Sequence, residues 1–145
     1  MLIQFSFKNF KAFKEEVLLD FLPASINEHK NTLLKDPADG ERILPLIGIY
    51  GPNSSGKSTV LDALSCLSSL VTASVTVPTR IRDVHCLVSA DCKDIPTQFD
   101  VLFRSQGFLF RYQLQFSMGT IAEEKLFYGS LGGSDTGILF NRKES

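Results

Sequence analysis

Nine consecutive residues of this 145-residue chain have types and spacing that could do chemistry: Gly51-Pro52-Asn53-Ser54-Ser55-Gly56-Lys57-Ser58-Thr59. They fit G-x-x-x-x-G-K-[ST], the pattern of a loop that wraps phosphate. A random chain of this length and composition would carry it roughly 0.6% of the time. Glycines let such a loop curl until successive N–H groups point inward at phosphate oxygens. All nine are candidate binding positions. Lys57 is expected to reach the β- and γ-phosphates of a nucleotide, and the Ser58 hydroxyl to ligate Mg²⁺. Ser54 and Ser55 are expected to offer backbone N–H groups, and the Asn53 amide is a candidate neighbour of the γ-phosphate. The alternative is a Gly/Ser turn before a helix, with Lys57 merely solvated.

Such a loop needs a strand before it and a helix after it. The run Ile43-Leu44-Pro45-Leu46-Ile47-Gly48-Ile49-Tyr50 is short and apolar on both faces, which reads as a buried parallel strand. Beyond the loop, Val60, Leu64, Leu67 and Val71 recur at helical spacing, with Ala63 and Leu70 widening the stripe. The spacing predicts a helix over Lys57–Thr72, whose N-terminal dipole end adds to the attraction for phosphate. Upstream, Ile3, Phe5 and Phe7 share one face of a strand, and Val17, Leu19 and Phe21 one face of another. Pro23–Arg42 reads as a loop. Downstream, Phe99 to Phe103 and Phe108 to Phe116 alternate around Ser105-Gln106-Gly107. Ser117-Met118-Gly119 turns the chain again, and Ile121–Tyr128 and Ile138–Arg142 look like further strands. Val75–Asp94 gives no clear pattern. The expected organisation is one domain, 1–145: an N-terminal strand pair (1–22), a P-loop strand and helix (43–72), and an antiparallel β-meander (95–145).

Composition narrows the classes. Hydrophobic residues make up 43% and charged residues 21%, which is ordinary globular usage. Fifteen basic against sixteen acidic residues give a net charge of −1, without the basic footprint of a dedicated nucleic-acid binder. Three cysteines, Cys66, Cys86 and Cys92, suggest neither a disulfide framework nor a zinc site and read as buried thiols. His29 and His85 read as surface or structural. No segment reads as a signal peptide or a membrane span, so the expected address is cytoplasmic, with no membrane partner.

Within the P-loop class, a GTPase would add D-x-x-G and N-K-x-D. No Asp here has Gly three residues later, and no Asn precedes Lys. A nucleoside kinase would continue in α/β units, whereas this helix leads to antiparallel strands. The chain resembles the N-terminal portion of ABC-type ATPase heads of the RecF and SMC kind, and within them the AAA-labelled, OLD-like and abortive-infection ATPases. The resemblance is carried by Leu2-Ile3-Gln4-Phe5-Ser6-Phe7-Lys8-Asn9-Phe10-Lys11-Ala12-Phe13-Lys14, by Ile49–Ser58, and by Leu61-Asp62-Ala63-Leu64. Pro96–Val101, Phe110-Arg111-Tyr112 and Glu124-Lys125-Leu126 add to it.

That resemblance implies an α/β P-loop fold, ATP and Mg²⁺ as ligands, and hydrolysis by a dimer of heads, a homodimer or a head-to-head pair. It implies nucleic acid as a partner by analogy only. It places Lys11 where a basic residue can approach the bound nucleotide, an exposed turn lysine being the alternative. Such heads also carry a Walker B strand, a signature and a switch His. Val17-Leu18-Leu19-Asp20 has Phe21 where Walker B has Glu, and reads as an ordinary antiparallel strand. Ser130-Leu131-Gly132-Gly133-Ser134 precedes β-type residues and reads as a hairpin loop. The expectation is an incomplete fold that binds ATP without turning it over. A kinase, a GTPase and a non-catalytic nucleotide-binding or interaction module remain the other readings.

Overall fold

In the computed structural model the described residues are 1–25, 28–37, 39–72, 84–130 and 136–143. Their frame is a six-stranded sheet in the order β2-β1-β5-β6-β7-β8. The strands are β1 (Leu2–Lys8), β2 (Val17–Asp20), β5 (Thr97–Ser105), β6 (Phe108–Ser117), β7 (Thr120–Ser130) and β8 (Thr136–Lys143). Every neighbouring pair is antiparallel. Two of the hairpins are set by local chemistry. Gln106 and Gly107 have φ of 50° and 81°, and Met118 and Gly119 have 49° and 85°. Positive φ at both central residues is the two-residue turn whose twist matches that of the strands it joins. Register follows, with Ser105 opposite Phe108 and Ser117 opposite Thr120.

One helix, α1 (Lys57–Thr72), covers one face of this sheet, over the span its periodicity predicts. The buried stripe is Val60, Ala63, Cys66, Leu67 and Leu70. Val71, expected inside, is 50% exposed, and Cys66 takes its place in the core. The helix packs on Phe5, Phe7, Phe99, Leu114 and Phe116, all at most 2% exposed. Phe10 completes an aromatic cluster, its ring 5.8 Å from Phe7 and 5.9 Å from Phe99. Edge-to-face contacts of this kind add to the area term. The opposite face carries Gln98, Asp100, Gln113, Gln115, Glu123 and Lys125; Gln113 donates to Asp100, Gln115 donates to Glu123, and Lys125 pairs with Glu123. All three cysteines are free and buried. Burial pushes the Cys66 thiol up to about 11, which leaves it protonated and unreactive at neutral pH.

Four sequence expectations meet the structure here, and not all of them hold. The run Leu44–Tyr50 is not a buried strand; only β4 (Arg42–Ile43) forms, paired with β3 (Leu34–Lys35) inside the segment expected to be loop. A strand apolar on both faces needs partners on both edges and cover on both sides. No described strand runs beside this run, and its one backbone hydrogen bond among the described residues is Leu44 N–H to Phe21 O, 2.7 Å. Leu46 and Tyr50 are therefore 79% and 92% exposed. Second, Ala90–Asp94 is a short 3₁₀ turn within the stretch left without a pattern. Third, Val17–Asp20 pairs antiparallel with β1, as an ordinary strand does. Fourth, Leu131–Ser134 and residues 75–83 lie outside the described residues.

Exposed Leu46 and Tyr50, together with Ile138, Leu139 and Phe140 on the outermost strand, form association-prone surface. The isolated 145-residue chain is expected to elute as oligomers in size-exclusion chromatography. Nucleotide should partly restore smaller species by mass action. A monodisperse monomer at every concentration would contradict this.

Candidate phosphate site

The Gly51–Thr59 loop ends in the first turn of α1, and its backbone is sharply bent. Ser54 has φ 63° and Gly56 φ 88°. A left-handed non-glycine residue is strained, and such strain collects at functional loops. The curl is tight enough that a Cβ on Gly51 would sit 2.8 Å from the Ser55 hydroxyl oxygen. Gly56 starts the helix, its carbonyl accepting from the Thr59 amide at 3.0 Å and the Val60 amide at 3.4 Å. The amides of Ser54, Gly56, Lys57 and Ser58 have no backbone acceptor among the described residues.

The side chain of Lys57 folds back over the loop. Its ammonium donates to Gly51 O at 2.8 Å and to Pro52 O at 2.6 Å. No acidic residue occupies the first turn of α1. Two like fields therefore meet here, the positive helix end and the Lys57 charge, with no carboxylate from the first turn beside them. This favours an anion as the missing partner. Ser58 is exposed, as are Asn53, Ser54 and Ser55.

Lys11 lies beside α1, but its ammonium is paired with Asp62 at 2.7 Å. It also sits 5.5 Å from the Phe10 ring centroid. Both members of the ion pair are about half exposed, so the contact is worth at most about 1 kcal/mol. His29 is exposed, and His85 is half-buried beside the cysteine segment. Among the described residues no cluster of three His, Cys, Asp or Glu could hold a metal ion by itself.

The sequence reading missed what holds the loop in place. Residues Asn9–Lys14 form a turn between β1 and β2, with Asn9 and Lys11 at φ 53° and 47°. Asn9 is 1% exposed. Its amide NH₂ donates to Cys92 O at 2.8 Å and Ile95 O at 2.6 Å, while its side-chain oxygen accepts from the Cys86 amide at 3.1 Å. The Lys11 amide donates to Val84 O at 3.0 Å, and the Lys11 carbonyl accepts from the Leu87 amide at 2.9 Å. Lys14 meets Asp91 at 2.8 Å. The Lys14 bond holds the Asp91 carboxyl below the usual carboxylate range, so this contact is present at neutral pH and lost on acidification. From the clamped turn, the Phe13 ring reaches Gly56. The one sequence signal was an Asn directly after a strand, a residue that tolerates left-handed φ and can hydrogen-bond locally.

The profile of the family described as "AAA domain, putative AbiEii toxin, Type IV TA system" matches residues 46–141, about two thirds of the chain. The chain belongs to this family. The phosphate loop, α1 and β5 to β7 all fall inside the matched stretch, which supports a nucleotide-binding domain of P-loop type. No curated protein matches the chain. Among the described residues of this AAA domain, no helix is long and apolar enough to cross a membrane.

Proposed function

We propose that this AAA domain binds ATP through Gly51, Pro52, Asn53, Ser54, Ser55, Gly56, Lys57, Ser58 and Thr59, the loop acting as a Walker A motif. The observation that carries the reading is the Lys57 ammonium folded over a glycine-bounded loop at a helix N-terminus with no acidic residue in its first turn. The donor set fits a polyphosphate. Amides of the loop and α1 would hold phosphate oxygens, and Lys57 would exchange its carbonyl acceptors for the terminal phosphates. The exposed Ser58 hydroxyl would ligate Mg²⁺, which supplies charge neutralisation between the phosphates.

On this reading the domain belongs to an ABC-type head that acts in the cytoplasm, hydrolysis requiring a second head, as a homodimer or a head-to-head pair. The domain as it stands is then a binding lobe. Transfer to water needs a residue that orients the nucleophile and donors that stabilise the γ-phosphate. Asp62, the acidic residue of α1, is already paired with Lys11. A non-catalytic nucleotide-binding module is the second reading, favoured by that same lack of a free carboxylate beside the loop. Nucleic acid as a partner rests on analogy.

Calorimetry with ATP, ADP and GTP, with and without Mg²⁺, tests the assignment. Binding of ATP or ADP is expected, without steady phosphate release. Phosphate release that is Mg²⁺-dependent and vanishes in Lys57→Ala would overturn the binding-only part.

Lys11 is proposed as a further contact to the nucleotide, exchanging Asp62 for phosphate. Lys11→Ala is then expected to weaken ATP binding, the loss shrinking as salt rises, while Lys14→Ala leaves it unchanged. Matching affinities for the two variants would return Lys11 to a lysine that only braces the helix.

A further inference from the structure

We propose that Phe13 is the positioning residue of the phosphate loop, its ring forming the floor that keeps Gly56 in the left-handed conformation the cradle requires. The proposal rests on the nucleotide reading of Gly51–Thr59 and assigns to a residue outside that loop the control of its shape. A Cβ on Gly56 would lie 2.6 Å from Phe13 Cζ and 2.8 Å from Cε2, so the ring is in direct contact with the glycine backbone. Gly56 is also the residue whose carbonyl begins α1 and whose φ is 88°. A ring at this position therefore fixes two things at once: where the helix starts and how the preceding amides are aimed.

The ring is partly buried and packed against the core. Its other side meets the Phe7 ring edge-on, with centroids 5.7 Å apart and planes at 75°. The backbone of the turn is closed by paired bonds, Phe10 N–H to Phe13 O at 2.8 Å and Phe13 N–H to Phe10 O at 2.9 Å. Behind the turn stand the buried amide of Asn9 and its three backbone partners. The sheet, through β1 and this turn, thus sets an aromatic ring against Gly56, a loop position that has no side chain to resist it. Such packed supports set binding geometry without touching the ligand.

A ring that acts through the loop backbone acts on phosphate, whatever base or sugar follows. Inorganic tripolyphosphate is the probe that separates this role from contact with the base. Phe13→Ala is expected to weaken ATP and tripolyphosphate by the same factor, about tenfold, and Phe13→Leu by about threefold or less. Gly56→Ala should lose more than either, through strain and collision with the ring. In Gly56→Ala/Phe13→Ala the collision is relieved, so the double variant should bind at least about fivefold better than the product of the single losses implies. Leu114→Ala, in the core on β6, should lower the melting temperature while leaving both affinities within about twofold.

Loss of ATP affinity without loss of tripolyphosphate affinity would overturn the proposal, since the ring would then be touching the base. So would additive losses in the double variant, or a Phe13→Ala protein that melts earlier but binds both ligands normally. Wild-type binding with no Phe13–Gly56 coupling removes this inference alone. A wild-type protein that binds neither ATP nor tripolyphosphate removes the nucleotide reading as well.

Discussion

Lys57→Ala is expected to lose nucleotide affinity by about tenfold or more, while its folding stability changes by less than about 1 kcal/mol. The two effects separate because of how the side chain is held. Lys57 donates only to Gly51 O and Pro52 O, carbonyls of an exposed loop that water can satisfy. Its removal also takes a cation away from the positive end of α1, which offsets part of what those bonds contribute. Phosphate, by contrast, loses its one side-chain charge partner in the loop. Ser58→Ala should weaken the Mg²⁺-dependent part of binding more than the Mg²⁺-free part. Calorimetry with ATP and ADP, run beside thermal melts, checks both halves. Equal affinity of wild type and Lys57→Ala would remove the loop from the site.

The largest stability effect is expected at Asn9, which touches no ligand. Asn9→Ala strands the buried Cys86 amide, leaves Cys92 O with the Ile95 amide as its remaining donor, and removes the side-chain donor of the part-buried Ile95 O. At about 1–3 kcal/mol for an unpaired buried group, with smaller losses at the two carbonyls, the variant should lose about 2–4 kcal/mol in chemical denaturation. Asn9→Asp is the sharper probe. It keeps the shape and the acceptor for Cys86, but sets a carboxylate against two carbonyl oxygens. Burial and those oxygens favour the protonated form, so the folded-state pKa of the new carboxyl lies above its unfolded value. Such a group destabilises the fold at neutral pH, and the deficit relative to wild type should shrink as pH falls through that raised pKa. A deficit that is independent of pH would show that the Asn9 site is open to water.

These two residues mark what the chain wrote locally and what it did not. The phosphate loop was legible because its chemistry is written in consecutive residues: glycines at 51 and 56, then Lys57 and Ser58. Helix α1 and the alternating strands β5 and β6 were legible because their apolar residues recur on one face, which periodicity reveals. The Gln106-Gly107 and Met118-Gly119 turns carry their own signal, positive φ at both central positions.

What failed to transfer was anything that depends on a distant neighbour. Leu44–Tyr50 has the composition of a buried strand, but a strand exists only where others pair with it, and no described strand does. Cys66 rather than Val71 joined the core because the sheet, not the helix, decides which side of a wide apolar stripe is covered. Asn9 and Phe13 read as turn residues of no special weight. Asn9 is joined to partners more than 75 positions away, and Phe13 meets a glycine more than forty positions away. The sequence by itself determined that a glycine-bounded loop of the G-x-x-x-x-G-K-[ST] pattern precedes an amphipathic helix and an antiparallel meander. Only the tertiary structure decided what braces that loop, because a brace is a contact between segments that periodicity and motif cannot bring together.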